Sequence, residues 1–337
     1  YQDSRGYLWI GEEGLFRYDG YELKHFVFDA NDPQSIPSNL ITAITEDPSG
    51  RLWFGTRYGH VFSYSHKTGI FSPITIQLPD DIPYRHSRIN ALFFDSRDTL
   101  WIGTTFNGLI SFHVSSGKIK KHYNKSSGLY SNIVYTIYQN RRKEILIGTK
   151  DGLYKIGVDR KLINYFDKTD FPENLSKIFV TALYEDSKSQ LWVGTNRGVI
   201  ILNPVNKNLI HLSHNTINTN SLSNNFVTSI VEGENGRIWI GTLEGLNRLQ
   251  SLKKGLFDIF NFEPGNPYTI PDSIINRLIC DHSGILWIAT ENGICQYKKL
   301  LPITSANSLF TNQKLGTDRK ITLAAEDREG LLWLATG

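Results

Sequence analysis

Methionine is absent from this sequence, and nothing in it explains why. Cysteine is nearly so, with only Cys280 and Cys295, too few for a disulfide framework. No apolar run is long enough to span a bilayer. No leader-like segment precedes the first turn, but Tyr1-Gln2-Asp3 falls in the middle of a repeat. The chain is therefore read as a piece of something longer, and a missing leader says little. No segment keeps a 3.6-residue apolar period, which excludes helical bundles and helical solenoids. Neither sign of charge dominates: the formal net charge is +3 and the pI about 8.6. The basic pairs Lys120-Lys121, Arg141-Arg142, Lys253-Lys254 and Lys298-Lys299 are scattered among acids. That pattern suits solvated turns, and no nucleic-acid track is expected.

What the sequence does contain is one short stretch in eight copies. Its clearest form is Asp47-Pro48-Ser49-Gly50-Arg51-Leu52-Trp53-Phe54-Gly55-Thr56-Arg57-Tyr58-Gly59. The copies place Trp9, Trp53, Trp101, Leu146, Trp192, Trp239, Trp287 and Trp333 at the same point, with steps of 44, 48, 45, 46, 47, 48 and 46 residues. Every tryptophan in the chain is a repeat tryptophan. Six residues before each anchor stands Asp3, Asp47, Asp95, Asn140, Asp186, Gly233, Asp281 or Asp327. A fixed period in the forties indicates a solenoid, a propeller or an array.

Within the second copy, Leu40–Glu46 is short and β-branched and reads as a strand, A. Asp47–Gly50 is a tight turn, Arg51–Thr56 strand B, His60–Tyr64 strand C and Ile70–Thr75 strand D. One such four-stranded sheet cannot cover both of its faces, so copies must pack on one another, and units of this size favour a closed ring. The expected fold is all-β, a β-propeller of four-stranded antiparallel blades. Seven blades over residues 1–327 are expected, with eight as the alternative. Residues 328–337 are then an eighth copy, a possible start of a second propeller. Because the first copy lacks most of its strand A, Ile321–Glu326 is expected to complete the first blade. Strand D of the seventh copy, within Lys298–Leu315, has no clear place. Cys280 ends a strand A and Cys295 lies on a strand C. These are two strands apart, about 9–10 Å, too far for a bridge, so two buried free thiols are expected.

The run Leu-Trp-Ile/Phe/Val-Gly-Thr-x-x-Gly after Asp-x-x-Gly, as in Leu100–Thr104 and Leu191–Thr195, resembles the two-component regulator propeller repeat over essentially the whole chain. The resemblance implies the extracytoplasmic, periplasmic region of a membrane-bound hybrid two-component sensor. Such proteins join two propellers to a β-sandwich, a membrane helix and a histidine kinase with receiver and DNA-binding domains. Many in gut Bacteroidetes recognise glycan fragments and switch on genes for polysaccharide use. By this resemblance the partners are a glycan-type ligand, the rest of the sensor chain and a second copy in a homodimer. No cofactor or metal is implied. Phosphotransfer would belong to the missing kinase, and no catalysis is expected in this piece.

The repeat residues build blades, so function is expected in the turns that vary. The B–C turns and the D–A connections share one face of the ring. From these, Arg57, Tyr58, Arg85, Phe106, Asn107, Lys150, Arg197, Glu244 and Glu291 are the candidate ligand-binding residues. Aromatic, amide and guanidinium groups together suit an oligosaccharide. The plainer account is that they are ordinary solvated turn residues. Gly-Thr-x-x-Gly lacks the following helix that a phosphate loop needs. His211 and His214, three apart on a strand, point to opposite faces and make a poor metal pair. No nucleophile motif is visible. A propeller-fold polysaccharide lyase or hydrolase, and a protein-interaction scaffold, remain as alternatives.

Overall fold

In the computed structural model, the described residues are 1–76, 87–95, 97–157, 159–165, 178–203, 208–266, 269–297, 310–313, 321–326 and 332–336. They form a seven-bladed propeller of antiparallel sheets with almost no helix. Blades 2 to 6 each run A-B-C-D from the inner strand outward. Their A strands are Ile41–Glu46, Ile89–Asp95, Val134–Gln139, Val180–Glu185 and Val227–Glu232. Blade 7 starts with Ile275–Cys280, and its strand D, which the sequence does not reveal, is Phe310–Gln313, paired with Gly293–Tyr297. Successive A strands touch one another, which puts them on the inner ring and the D strands outside.

Blade 1 has strands Leu8–Glu12, Gly14–Tyr18 and Leu23–Phe26. Its inner position is held by Tyr1 and Gln2: Gln2 bridges to Leu8, and Trp9 N–H donates to the Tyr1 carbonyl at 2.7 Å. The expectation that Ile321–Glu326 would complete this blade is not met. That strand pairs with Leu332–Thr336, its hairpin neighbour in the same copy, in a separate two-stranded sheet. Blades 7 and 1 meet through Tyr18 packed edge-on to Trp287, and through His282 N–H donating to Gln2 Oε1 at 2.8 Å.

Each joint between blades is a separate apolar core. Trp9 packs with Phe54 and Tyr64 of blade 2, Trp53 with Ile102 and Ile110 of blade 3, and Trp192 with Ile230 and Ile240 of blade 6. The tryptophan thus always faces the next blade. The repeat glycine faces it too, and close approach is what requires glycine there. A Cβ on Gly194 would stand 2.6 Å from Val227 Cγ1, on Gly103 2.7 Å from Val134 Cγ1, and on Gly241 2.5 Å from Ile275 Cγ2. Val134, Val227 and Ile275 are the first residues of the following A strands, all fully buried.

The Asp-x-x-Gly turn is wired to the same tryptophan. Asp47 Oδ1 accepts the N–H groups of Ser49 and Arg51, while Oδ2 accepts the Trp53 indole N–H at 3.0 Å. The same indole bond recurs from Trp9 to Asp3, Trp101 to Asp95, Trp192 to Asp186 and Trp287 to Asp281, at 2.7 to 2.9 Å. Blade 4 replaces the pair with Asn140 and Leu146. There Glu144 accepts from Asn140 Nδ2 and from Lys155 Nζ, each at 2.8 Å, and closes the turn another way. Blade 6 has Gly233, close to Trp239 Nε1 but with no side chain to accept from it.

A second set of bonds crosses the joints at this end. Glu46 accepts Ser4 N–H and Oγ–H, Glu185 accepts Arg141 N–H, and Glu232 accepts Ser187 N–H and Oγ–H. In each case the carboxylate ending one A strand holds the A–B turn of the preceding blade. Both cysteines are free. Cys295 is buried and its thiol is pushed up to about 12 by desolvation. Cys280 is only half-buried, against expectation, because it ends a strand on the turn face.

Two stability outcomes follow. Gly194→Ala and Gly241→Ala should each cost about 1–3 kcal/mol by overpacking a joint, read as a lower denaturant midpoint. An unchanged midpoint would show that the joints have slack. Gly233→Asp, at a φ of −94° that any residue adopts, should supply the missing acceptor to Trp239 and add about 1 kcal/mol. A drop in thermal midpoint would mean that the indole has no use for it.

Candidate ligand-binding face

The opposite end of the ring is built by the B–C turns and the D–A connections. The repeat threonine shapes the turns of blades 3 to 7: Thr104, Thr149, Thr195, Thr242 and Thr290 donate Oγ–H to the carbonyl of the turn glycine at 2.7 to 3.0 Å, while in blade 2 Thr56 Oγ1 accepts from His60 N–H. The next residue is then tied to the inner ring. Arg57 N–H donates to Leu40 O, Thr105 to Arg88 O, Lys150 to Ile133 O, Asn196 to Phe179 O, Leu243 to Phe226 O and Glu291 to Ile274 O, at 2.9 to 3.3 Å. Each acceptor is the residue just before a strand A. The twelve residues form a collar around the inner end of the blades.

Beneath it, side chains of the A strands stitch neighbouring blades. Thr42 Oγ1 donates to Ile89 O, Asn90 Nδ2 to Val134 O and Thr181 Oγ1 to Val227 O. Thr228 holds the same place in blade 6, but its buried hydroxyl has no partner.

Charge is unevenly spread on this face. Arg57, Arg88, Lys150 and Arg197 stand exposed on blades 2 to 5, whereas Glu244 and Glu291 stand exposed on blades 6 and 7. Arg88 is surface-accessible yet crowded at the ring mouth, and loss of water, then Arg57, lower its guanidinium from the ordinary value. Lys150 Nζ lies 5.6 Å from the centroid of the Phe179 ring on the next blade. Burial, with Asp151 nearby, raises the Tyr135 phenol. Glu291 accepts a long bond, 3.4 Å, from Asn276 Nδ2.

The candidates read from the sequence sort into three groups. Tyr58 and Phe106 project into solvent, 53% and 63% exposed, and with Arg57, Lys150, Arg197, Glu244 and Glu291 they lie on this one face. Asn107 is 5% exposed and belongs to the inside of its turn: its N–H donates to Thr104 Oγ1, its carbonyl accepts from His122, and its Nδ2 has no partner. Arg85 lies outside the described residues. Asn132 and Asn225, also in D–A connections, accept from Lys125 N–H and His214 N–H and hold their own loops. His211 and His214 bond separate carbonyls, those of Arg197 and Leu222. No cluster of three metal-ligating side chains occurs among the described residues.

The sequence reading missed how ordered the D–A connections are. Ile36, Leu129, Leu222 and Ile270 each plug a joint core, with exposures of 0 to 2%. The signal was present as a recurring Ser/Thr-Ile/Leu pair, Ser35-Ile36, Ser221-Leu222 and Thr269-Ile270. Ser35 Oγ and Ser221 Oγ fold the loop back by donating to Asp29 O and Asn215 O.

Four segments, 35–58, 83–106, 174–197 and 221–244, match the family model described as two component regulator propeller. Each runs from a D–A connection through strand A and the tryptophan strand into the B–C turn. Four copies of the repeat thus match as two-component regulator propeller repeats. A relative named Histidine kinase P4, from Formosa agariphila, is 29% identical over 214 residues, which is 60% of this chain but 15% of the relative. Among solved structures, the extracellular domain of BT3049 from B. thetaiotaomicron, named as a hybrid two component system, matches with a TM-score of 0.69 and 20% identity. The match covers 100% of this chain and 49% of that one. A virginiamycin B lyase from Staphylococcus aureus matches with a TM-score of 0.60 and 15% identity, over 88% and 91% of the two chains. This chain thus spans 15% of the Formosa agariphila relative and 49% of the BT3049 domain, and at these identities the solved structures share its fold.

Tyr58→Ala and Phe106→Ala should each change stability by less than about 0.5 kcal/mol, because neither ring is spent on packing. Chemical denaturation checks this. A loss above 1 kcal/mol would make the ring part of the scaffold and remove it from the binding face.

Proposed function

We propose that this regulator propeller is the ligand-sensing extracytoplasmic part of a membrane-bound hybrid two-component sensor. In this reading it recognises an oligosaccharide or polysaccharide fragment and passes that event to a histidine kinase that regulates transcription. The observation that carries the reading is the contrast between the two ends of the ring. At the A–B end, carboxylates are spent on neighbouring turns. At the collar end, tyrosine, phenylalanine and guanidinium groups face solvent from turns whose backbones are fixed. Such groups give a sugar ring faces to stack on and donors for its hydroxyls. The matched repeats and the relative named as a histidine kinase support the signalling context.

Within the ring the event is non-covalent. A ligand shifts a sensor only by binding one of its arrangements better than another. A homodimer, and a second propeller begun by the hairpin of Ile321–Glu326 with Leu332–Thr336, belong to the same reading. No helix of the described residues is long and apolar enough to cross a membrane, so the anchor would lie elsewhere in the protein.

The test is calorimetric titration of this chain with a panel of polysaccharide-derived oligosaccharides, with product analysis on the same samples. Saturable binding of intact ligand, weakened by Tyr58→Ala and Phe106→Ala, is the expected result. Cleaved product would make the propeller a lyase or hydrolase. Capture of a protein with no glycan bound would make it a scaffold.

A further inference from the structure

We infer that the collar sector formed by Arg57 and Arg88, at the joint of blades 2 and 3, binds an anionic substituent, a carboxylate or a sulfate ester, carried by the sugar ligand. The inference rests on the proposed sensing role and specifies the chemistry of what is sensed.

Both guanidiniums come from fixed backbone. Arg57 opens a B–C turn and donates its N–H to Leu40 O at 2.9 Å; Arg88 precedes a strand A and accepts from Thr105 N–H at 3.0 Å. The blade joint brings them together, since strand A of blade 2 packs along strand A of blade 3. The same pair of positions at the next joint but one sets Lys150 Nζ over the Phe179 ring, so side chains at these two places can reach one another across a joint. At blades 2 and 3, both places hold arginine.

Two like charges held side by side cost free energy unless something intervenes. The ion pairs among the described residues involve neither Arg57 nor Arg88. Among the described residues, the influences on Arg88 are loss of water and then Arg57, and no carboxylate. An anion between the two would relieve the repulsion. The planar fork of arginine fits a carboxylate or sulfate bidentately and gives up water more readily than an ammonium group does. Lys150 is a weaker candidate, because Asp151 follows it and acts on the same mouth.

Charge elsewhere on the face fixes polarity. Arg197 stands on blade 5, and Glu244 and Glu291 occupy blades 6 and 7, across the ring, where they would repel an anion. Tyr58 follows Arg57 directly and is exposed, so it can stack on the sugar that bears the anionic group. A ligand is then oriented with its charged end over blades 2 and 3.

Three tetrasaccharide probes titrated into this chain by calorimetry, at low and at physiological salt, test this: a polyuronate, a sulfated galactan fragment and a neutral galactan fragment. At least one anionic probe should bind about tenfold or more tightly than the neutral one, and lose affinity as salt rises. Which of the two binds separates carboxylate from sulfate. Arg57→Gln and Arg88→Gln should each weaken the anionic probe about tenfold to a hundredfold and flatten its salt dependence, with thermal midpoints unchanged or raised, since each removes one of two like charges. Glu244→Gln should leave it as tight or tighter. Neutral binding equal to anionic, or anionic binding indifferent to both arginine variants, overturns the inference while leaving the glycan-sensing reading in place. No binding of any probe overturns both.

Discussion

The ring depends on one short-range steric condition, the approach of each A strand to the glycine of the blade before it. Val134, Val227 and Ile275 lie where a Cβ on Gly103, Gly241's predecessor Gly194, and Gly241 itself would have to be. Only at this separation can a tryptophan such as Trp192 bury its whole ring against the following blade, where large aromatic area is worth most. The indole N–H would be stranded in that core without an acceptor, and an unmet buried donor costs about 1–3 kcal/mol. The aspartate six residues earlier meets it and uses its other oxygen to set the turn. Glycine, tryptophan and aspartate are therefore one device, and its recurrence explains why the period tolerates length changes in the outer strands but not within this segment.

Spending carboxylates at one end of the ring leaves the two ends chemically different. Glu46, Glu185 and Glu232 each accept the backbone N–H of a neighbouring turn, and these bonds run from blade to blade. At the other end, the threonine hydroxyls of blades 3 to 7 bond within their own turns. The residue after it is tied by a backbone bond that needs no particular side chain, although Thr105, Asn196 and Glu291 add side-chain bonds to Asn90, Phe179 N–H and Asn276. Variation is therefore permitted at Arg57, Thr105, Lys150, Asn196, Leu243 and Glu291, and the collar is where a common scaffold can be given a particular specificity.

The scaffold was legible in the sequence because the same three residue types had to recur. Trp53, Gly55 and Asp47 can be read from one copy and checked in the others, and even Leu146 of blade 4 keeps the apolar slot. The pairing of Ile321–Glu326 was not legible, since a strand A reads the same whichever strand B it joins. Asn107 looked like any polar turn residue, yet its exposure depends on how the one-residue-longer turn after Thr104 folds inward. The joint plugs Ile36 and Leu222 were overlooked because short polar neighbours hid an apolar signal of a single residue. The nearness of Arg57 and Arg88 could not be read at all, because it joins two blades that the sequence separates by 31 positions.

Rigid joints also constrain how such a ring could signal. A blade that moved relative to its neighbour would have to open an apolar core and break the A-strand stitches from Thr42, Asn90 or Thr181. Close-packed interiors of this kind respond by discrete rearrangement and resist gradual deformation. A ligand held across the joint of blades 2 and 3 would lock that joint more firmly, since it bonds to both sides. The change in population must then occur where the collar meets something outside the ring, another domain or another copy. There, a bound anion reverses the local charge from positive towards neutral or negative. On the proposed function, the propeller is a stiff mount that presents this altered surface, and the coupling free energy resides in whichever contact distinguishes the occupied collar from the empty one.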